Sequence, residues 1–460
     1  MSIITLINGV LWGWLLAVML LSTGLYYSAR MVFPQIRFFG RSIASLKTNS
    51  KAENGSISGF AALCAAVGAQ VGTGSIVGVA SALTAGGPGA LFWMWVTALF
   101  GMTLSFGEAT LGLLFREKNP DGSYTGGAPF YMKNGLKSKS LPVIYAGLSI
   151  FSAGFCIAML QNNSIASAIS NVTHIPQIVP GIIVALIAAF IVLGGAKRIT
   201  DFASKVVPFM ASGYILITLL ILLTHISQIP AVFSLILKSA FSIDAAVGGV
   251  AGYTIKEAIR NGVARGLFSN DAGNGAASGF HATAQVKHPA TQGFSAMLGT
   301  FITTIIICSC TGFAILLTGA TDTGTDGIVL VQEAFGIAIG PLGKWIVMLA
   351  MFLFGFTTMV ADIFYGEVGV RFLFKNNVSK MVTVYKVAAI IMVAIGSILS
   401  LPALWQIVDL FVGVLVIVNI IPLLGLFKYV KYVLADYTKQ MKTGIAEPVW
   451  DGKVDLPEKQ

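Results

Sequence analysis

The chain has 460 residues, of which 56% are hydrophobic and 10% charged, and a net charge of +10. A soluble domain carries about 25% charged residues, so an ordinary water-soluble globule is excluded. The positive charge does not indicate nucleic acid, because Lys and Arg fall in gaps between apolar stretches, where loops of membrane proteins carry them.

A membrane-spanning helix needs ~20 mostly apolar residues. Eleven such stretches occur in order, at 8–31, 57–84, 88–115, 143–170, 178–196, 203–224, 248–285, 291–319, 341–372, 382–401 and 404–430. The expected fold is therefore an all-α polytopic membrane protein with about 11 transmembrane helices, within a transmembrane domain covering 1–430. The first stretch lacks a basic leader and reads as a retained helix rather than a signal peptide. The seventh is irregular and reads as a polar approach helix followed by a broken span. The tail, 431–460, is charged, contains Pro448 and Pro457, and is expected to be a cytoplasmic extension with little regular structure.

Basic residues mark alternate gaps. Arg30, Arg37 and Arg41 follow the first stretch, Arg116, Lys118 and Lys133 the third, Lys197 and Arg198 the fifth, and Arg371, Lys375 and Lys380 the ninth. The intervening gaps 85–88, 171–180 and 401–406 are nearly free of basic charge. Basic loops stay inside, which predicts an outside N-terminus, a cytoplasmic C-terminus and an odd number of spans in a bacterial inner membrane.

Two stretches carry glycine-rich polar runs at mid-depth: residues 68–75 (GAQVGTGS) and residues 266–275 (GLFSNDAGNG). Each opens a block of about five spans, 57–224 and 248–430. Paired interruptions in two halves are the sequence pointer to an inverted-repeat transporter with its site between the breaks. Unwinding a helix leaves backbone N–H and C=O groups that hydrocarbon cannot satisfy, so a ligand or a water-filled cavity must do so. Half-helix N-termini favour an anionic group such as an amino-acid carboxylate. The competing account is close helix packing through small residues.

The two runs supply the candidate substrate-lining set: Gln70, Gly72, Thr73, Gly74 and Ser75 from the first, and Phe268, Ser269, Asn270, Asp271 and Asn274 from the second. Phe268 fits either an aromatic lid or ordinary packing. Asp271 is expected to meet the substrate or cation, or to pair with Arg265. Gln161, in the amide triplet 161–163, joins the set as a hydrogen-bonding group, with interhelical bonding as its alternative. Trp93 and Trp95 are expected to limit substrate volume. Glu108, Glu367, Asp362 and Asp409 read as structural pairs or gate contacts, although a buried carboxylate can also carry a proton. Cys64, Cys156, Cys308 and Cys310 read as packing residues, and the four histidines do not cluster. No nucleotide-binding loop and no nucleophile–base arrangement stands out, so neither an ATP-driven pump nor an enzyme is expected.

Residues 86–101 (GGPGALFWMWVTALFG), 70–76 (QVGTGSI) and 265–273 (RGLFSNDAG) resemble the signature segments of the sodium:alanine (alanine or glycine:cation) symporter family. The likeness runs over almost the whole chain, departing at Asp271, where Glu is more frequent, and at Ser75, where Asn is more usual. The family is similar to the amino acid–polyamine–cation superfamily, with its five-plus-five inverted-repeat core. The resemblance implies one extra N-terminal helix, 8–31, substrate at both breaks, and sodium between the first and eighth core helices. The sodium ligands it implies are the side chains of Thr357 and Thr358 with carbonyls near Ala69 and Gly72. It implies no cofactor other than the co-transported ion, and alanine or glycine, L or D, as substrate. Proton coupling through Asp271 or Asp362 is the alternative. The sequence does not define an oligomeric state.

Overall fold

The computed structural model describes residues 3–48, 57–119, 122–241 and 255–452. The start of the seventh expected stretch, 248–254, and the last part of the tail, 453–460, lie outside the described residues.

Helix α1 (Ile3–Arg30) ends in a turn where Val32 and Phe33 take positive φ, 59° and 47°. Pro34 then opens the short α2 (Pro34–Arg37), followed by α3 (Phe39–Thr48). A proline suits that first position because its missing N–H would be unpaired there anyway. Strand β1 (Ile57–Ser58) leads into α4 (Gly59–Gln70), whose start is capped by Ser58 Oγ accepting from the Ala61 N–H at 3.1 Å. The helix stops at Val71 and resumes after Gly72 as α5 (Thr73–Gly86). Next come α6 (Gly89–Leu114), an antiparallel pair β2 (Glu117–Lys118) and β3 (Tyr124–Thr125), and α7 (Leu141–Thr173). Helices α8 (Ile178–Val192), α9 (Gly195–Thr224) and α10 (Ile229–Phe241) complete the first half.

The second half begins with α11 (Ile255–Asn270), an irregular segment, α12 (Ser278–Thr283) and β4 (Ala284–Gln285). It continues through α13 (Pro289–Thr318), α14 (Gly327–Ile339), α15 (Pro341–Leu373), α16 (Val378–Gly396), α17 (Leu401–Gly425) and α18 (Phe427–Lys442). Among the described residues, nine helices are long and apolar enough to cross a membrane. The short apolar α8 and the interrupted pair α11–α12 occupy the other two expected positions.

Strands β1 and β4 pair in parallel, Ile57 opposite Ala284 and Ser58 opposite Gln285. The start of α4 and the finish of α12 therefore share one end of the bundle, and the two broken helices run in opposite directions. Arg116 sits at this end, donating to the Ala282 and Ala284 carbonyls; we call it the basic end. The broken helices are central: α4–α5 is 89% buried over its apolar window, against 33% for α1 and for α9. Helix α4 packs on α9 and α15, and α11 packs on α5 and α6. Phe190, Phe209 and Leu342 are exposed on the periphery, where lipid rather than water is the solvent.

Three expectations on boundaries change. The stretch predicted at 203–224 begins at Gly195, so Lys197 and Arg198 lie inside the first turn of α9. The stretch predicted at 382–401 is shifted to Val378–Gly396. The tail is not unstructured from 431, because α18 runs to Lys442 with Phe427, Val430, Val433, Leu434 and Tyr437 buried on one face.

Candidate functional site

The first interruption frees specific backbone groups. Gly72 N–H turns back to the Gln70 carbonyl at 3.1 Å, so the Gly68 carbonyl loses its usual partner four residues on. That carbonyl instead accepts the Thr358 hydroxyl of α15 at 2.7 Å. Thr73, the first residue of α5, donates through both N–H (2.8 Å) and Oγ1 (2.6 Å) to the Gln161 side-chain oxygen of α7. An acceptor thus sits where the positive end of a half-helix points. A side chain at Gly72 would run into Thr358, its Cβ 2.7 Å from that residue's Cβ and 2.8 Å from Gln161 Oε1. Glycine is therefore required for α4, α7 and α15 to meet at this point. Thr357, the neighbouring hydroxyl, donates within its own helix to the Phe354 carbonyl at 2.9 Å.

The second interruption is held open from the side. Asp271, Gly273 and Gly275 take positive φ (55°, 95° and 84°). Their irregular path exposes N–H groups, and Glu108 of α6 collects them. Its Oε1 accepts from Gly273 N–H at 3.0 Å, Gly275 N–H at 2.9 Å and Asn419 Nδ2 at 2.7 Å. Asn419 also donates to the Gly273 carbonyl at 3.0 Å and accepts from Tyr131 Oη at 2.5 Å. Asn274 Nδ2 donates to Asp271 Oδ1 at 2.8 Å, and Tyr145 Oη donates to the Asn274 carbonyl at 2.8 Å. Glu108 Oε2, Asp362 Oδ2 and Tyr365 Oη are buried, with no hydrogen-bond partner among the described residues. A cleft lined by Tyr145, Gly275, Tyr365 and Leu415 reaches this break.

The two breaks are tied together. Gln70 Nε2 donates to the Asn270 carbonyl at 2.8 Å, and the Ser75 and Ser269 hydroxyls lie 3.0 Å apart. A Cβ at Gly74 would lie 2.9 Å from Phe268 Cδ1 and 3.0 Å from Ser269 Cα, so α5 and α11 touch through that glycine.

Away from the basic end, Arg265 makes a bidentate pair with Asp409 (2.8 and 2.7 Å) and stacks over Trp405 at 3.9 Å. Phe268 packs edge-on against the same Trp405, ring centroids 4.9 Å apart. These contacts fasten α11 to α17 on that side.

The predicted residues therefore divide. Gly72, Thr73, Gln161, Thr357 and Thr358 converge on the first break, beside the Gly68 carbonyl that precedes Ala69. Gln70 reaches from the second break, through its Nε2, to Gly299 of α13, through its Oε1, and the Asn270 amide lies against Gly101 of α6. Ser75 and Ser269 likewise face α13, where Ser269 meets Cys308 Sγ at 3.0 Å. Asp271 does not pair with Arg265, whose partner is Asp409. Trp93 and Trp95 bond to the Ala240 carbonyl and Ser309 Oγ, away from both breaks. Glu367 pairs with Arg371 and Lys386, at 2.7 and 2.9 Å. Glu108 is the residue whose place in the site sequence reasoning did not assign. Its only signal was a carboxylate inside an apolar stretch.

Two oppositely directed, interrupted helices meeting in a buried polar centre define a polytopic membrane transporter of the discontinuous-helix class. The chain belongs to the sodium:alanine symporter family, whose model matches residues 1–451. It is 37% identical over 451 residues to a probable sodium/glutamine symporter, GlnT, of Bacillus subtilis, covering 97% of this chain and 92% of that one. It is 36% identical over 433 residues to the sodium/alanine symporter AgcS of Methanococcus maripaludis, covering 92% and 94%. The fold is similar to the crystal structure of MhsT in complex with L-phenylalanine, with a TM-score of 0.55, 15% identity, and coverage of 86% of this chain and 93% of that one. It also resembles a manganese transporter of Eremococcus coleocola, with a TM-score of 0.53, 14% identity and 79% of each chain covered.

Proposed function

We propose that the chain is a secondary symporter that imports a small neutral amino acid, alanine or glycine, with sodium by alternating access. The observation that carries this reading is the Thr358 hydroxyl resting on the Gly68 carbonyl freed by the first break. A neutral set of hydroxyl and carbonyl oxygens suits a hard monovalent ion that must be released in each cycle. Thr357, Thr358 and carbonyls from Gly68 to Gly72 are the proposed ligands. Gln161 Oε1 marks where a substrate carboxylate oxygen would replace it at Thr73, at the start of α5. Phe268 and Trp405 form the proposed lid, locked by Arg265–Asp409. Relatives named for alanine and glutamine symport support the substrate class.

In this reading, 57–224 and 248–430 are inverted repeats preceded by one extra helix, and the basic end faces the cytoplasm. The structure is then closed on the outer side by the lid and approached from within by the cleft at Tyr145 and Tyr365. One inward charge contributes ~2.3 kcal/mol per 100 mV, about fifty-fold accumulation before the sodium gradient adds to it.

A second reading, proton coupling, has one observation in its favour. Glu108 and Asp362 each keep a buried carboxylate oxygen without a hydrogen-bond partner among the described residues near the second break. Uptake of radiolabelled alanine into proteoliposomes separates the two. Sodium coupling predicts that replacing external sodium with choline abolishes accumulation. Accumulation that persists in choline and follows an imposed pH gradient would replace the first reading with the second.

A further inference from the structure

Helix α18 does more than end the bundle. Its residues Lys431, Lys439 and Lys442 recur at helical spacing along one face, and that face forms a wall of a groove at the basic end. Arg30, from the last turn of α1, and Arg37, from α2, form the opposite wall. Among the described residues no carboxylate lines the groove. Asp436, on the same helix, is turned away to meet His288 Nε2 at 3.2 Å. Among the described residues none of the five cations makes an ion pair. Gathering unpaired like charges costs electrostatic energy, which a bound anion would relieve.

The floor is apolar, built from Met31, Leu434 and Ala435. Beside it, Val32, Phe33 and Ile36 are exposed at 63%, 43% and 68%. Polar solvent does not favour such a cluster next to five cations, but an amphiphile satisfies both. The groove holds about 470 Å³, within the ~300–1,000 Å³ of small-molecule sites.

We propose that this groove binds the headgroup of an anionic phospholipid, with the phosphate among Arg37, Lys439 and Lys442 and the acyl chains running out over Val32, Phe33 and Ile36. Charge complementarity selects an anion. The contiguous apolar cluster selects a lipid over free phosphate. Basic pockets at helix ends on one side of a membrane bind anionic headgroups on the same physical grounds.

The test uses the delipidated full-length protein in neutral detergent, titrated separately with short-chain phosphatidylglycerol, short-chain phosphatidylcholine and inorganic phosphate. Bound species are counted by native mass spectrometry, and thermal unfolding is followed in parallel. Phosphatidylglycerol should bind and raise the unfolding temperature, while the other two at equal concentration should not. The triple variant Arg37→Gln/Lys439→Gln/Lys442→Gln should bind about fivefold more weakly for each charge removed. Lys428→Gln, outside the groove, should bind as the unaltered chain does. Equal binding of phosphatidylcholine, equal binding of phosphate, or an unchanged triple variant would each overturn the proposal. Should the triple variant not fold, Lys439→Gln alone and displacement of phosphatidylglycerol by 1 M salt decide the question. Lipid that stays bound in both would refute the headgroup assignment.

Discussion

The Thr358 hydroxyl and the Gly68 carbonyl lie 2.7 Å apart across α15 and α4, where the first broken helix loses its own hydrogen bond. Thr358→Ala removes that oxygen and should raise the sodium concentration for half-maximal uptake at least tenfold. Thr358→Ser should keep it within about threefold. A tenfold change corresponds to ~1.4 kcal/mol, reasonable for one lost ligand. A sodium activation curve in proteoliposomes that is identical for Thr358→Ala and the unaltered chain would remove the cation site from this position.

Gly72 sits where three helices meet. Gly72→Ala puts a methyl group against Thr358 and Gln161, and it should abolish alanine binding while leaving a folded protein. Scintillation proximity binding of labelled alanine, with size-exclusion profile as the folding control, checks it. Normal affinity would show that the first break is not where substrate binds.

Glu108 Oε1 satisfies two backbone N–H groups and the Asn419 amide. Unsatisfied buried groups cost about 1–3 kcal/mol each. Glu108→Ala should therefore lower thermal stability severely. Glu108→Gln, which keeps an acceptor oxygen, should be much milder. Equal unfolding temperatures for the two variants would contradict the bracing role.

Arg265 donates two hydrogen bonds to Asp409 and also stacks on Trp405. A lysine cannot reproduce a planar fork, so Arg265→Lys should reduce uptake strongly. The exchange Arg265→Asp with Asp409→Arg should recover part of what each single reversal loses. Uptake by the four proteins, compared at equal expression, measures the coupling.

His288 lies buried in the turn before α13, and burial holds its pKa below the usual imidazole range despite the nearby Asp436. The folded chain therefore takes up the proton less readily than the unfolded one. That stability is complete above the unfolded pKa of ~6.5 and is lost as pH falls from there toward the folded value. Thermal unfolding between pH 7.5 and 5.5 should show a decline that is smaller in His288→Gln. Parallel declines in the two would assign the effect elsewhere.

How much of this was readable in the sequence follows from chemistry. The breaks are legible because two polar, glycine-rich runs fall at matching places in the two halves, which close packing alone does not require, and residues 71–72 and 271–277 are unwound. The pairing of Thr358 with the first break was accessible only through the family resemblance. The carbonyl that accepts the Thr358 hydroxyl is that of Gly68, next to the expected Ala69, because the helix unwinds at Val71 and Gly72. Glu108 escaped assignment because its partners lie 165 and 167 residues away, and nothing local marks them. The Arg265 pairing offered as one alternative for Asp271 does not form, because six residues along a helix is more than one and a half turns and Asp409 on α17 lies closer. Helix α18 was missed because Pro448 and the charges of the tail outweighed an apolar face that needs the bundle for its contacts.

The short parallel pair β1–β4 acts as a yoke. It fastens the entrance of one broken helix to the exit of the other at Ile57–Ala284 and Ser58–Gln285, and Arg116 clasps the carbonyls beside it. A tilt of either helix at that end strains the hydrogen bonds it shares with its counterpart. In the proposed transport cycle, this link makes the two broken helices one coupled unit past which the surrounding helices would slide.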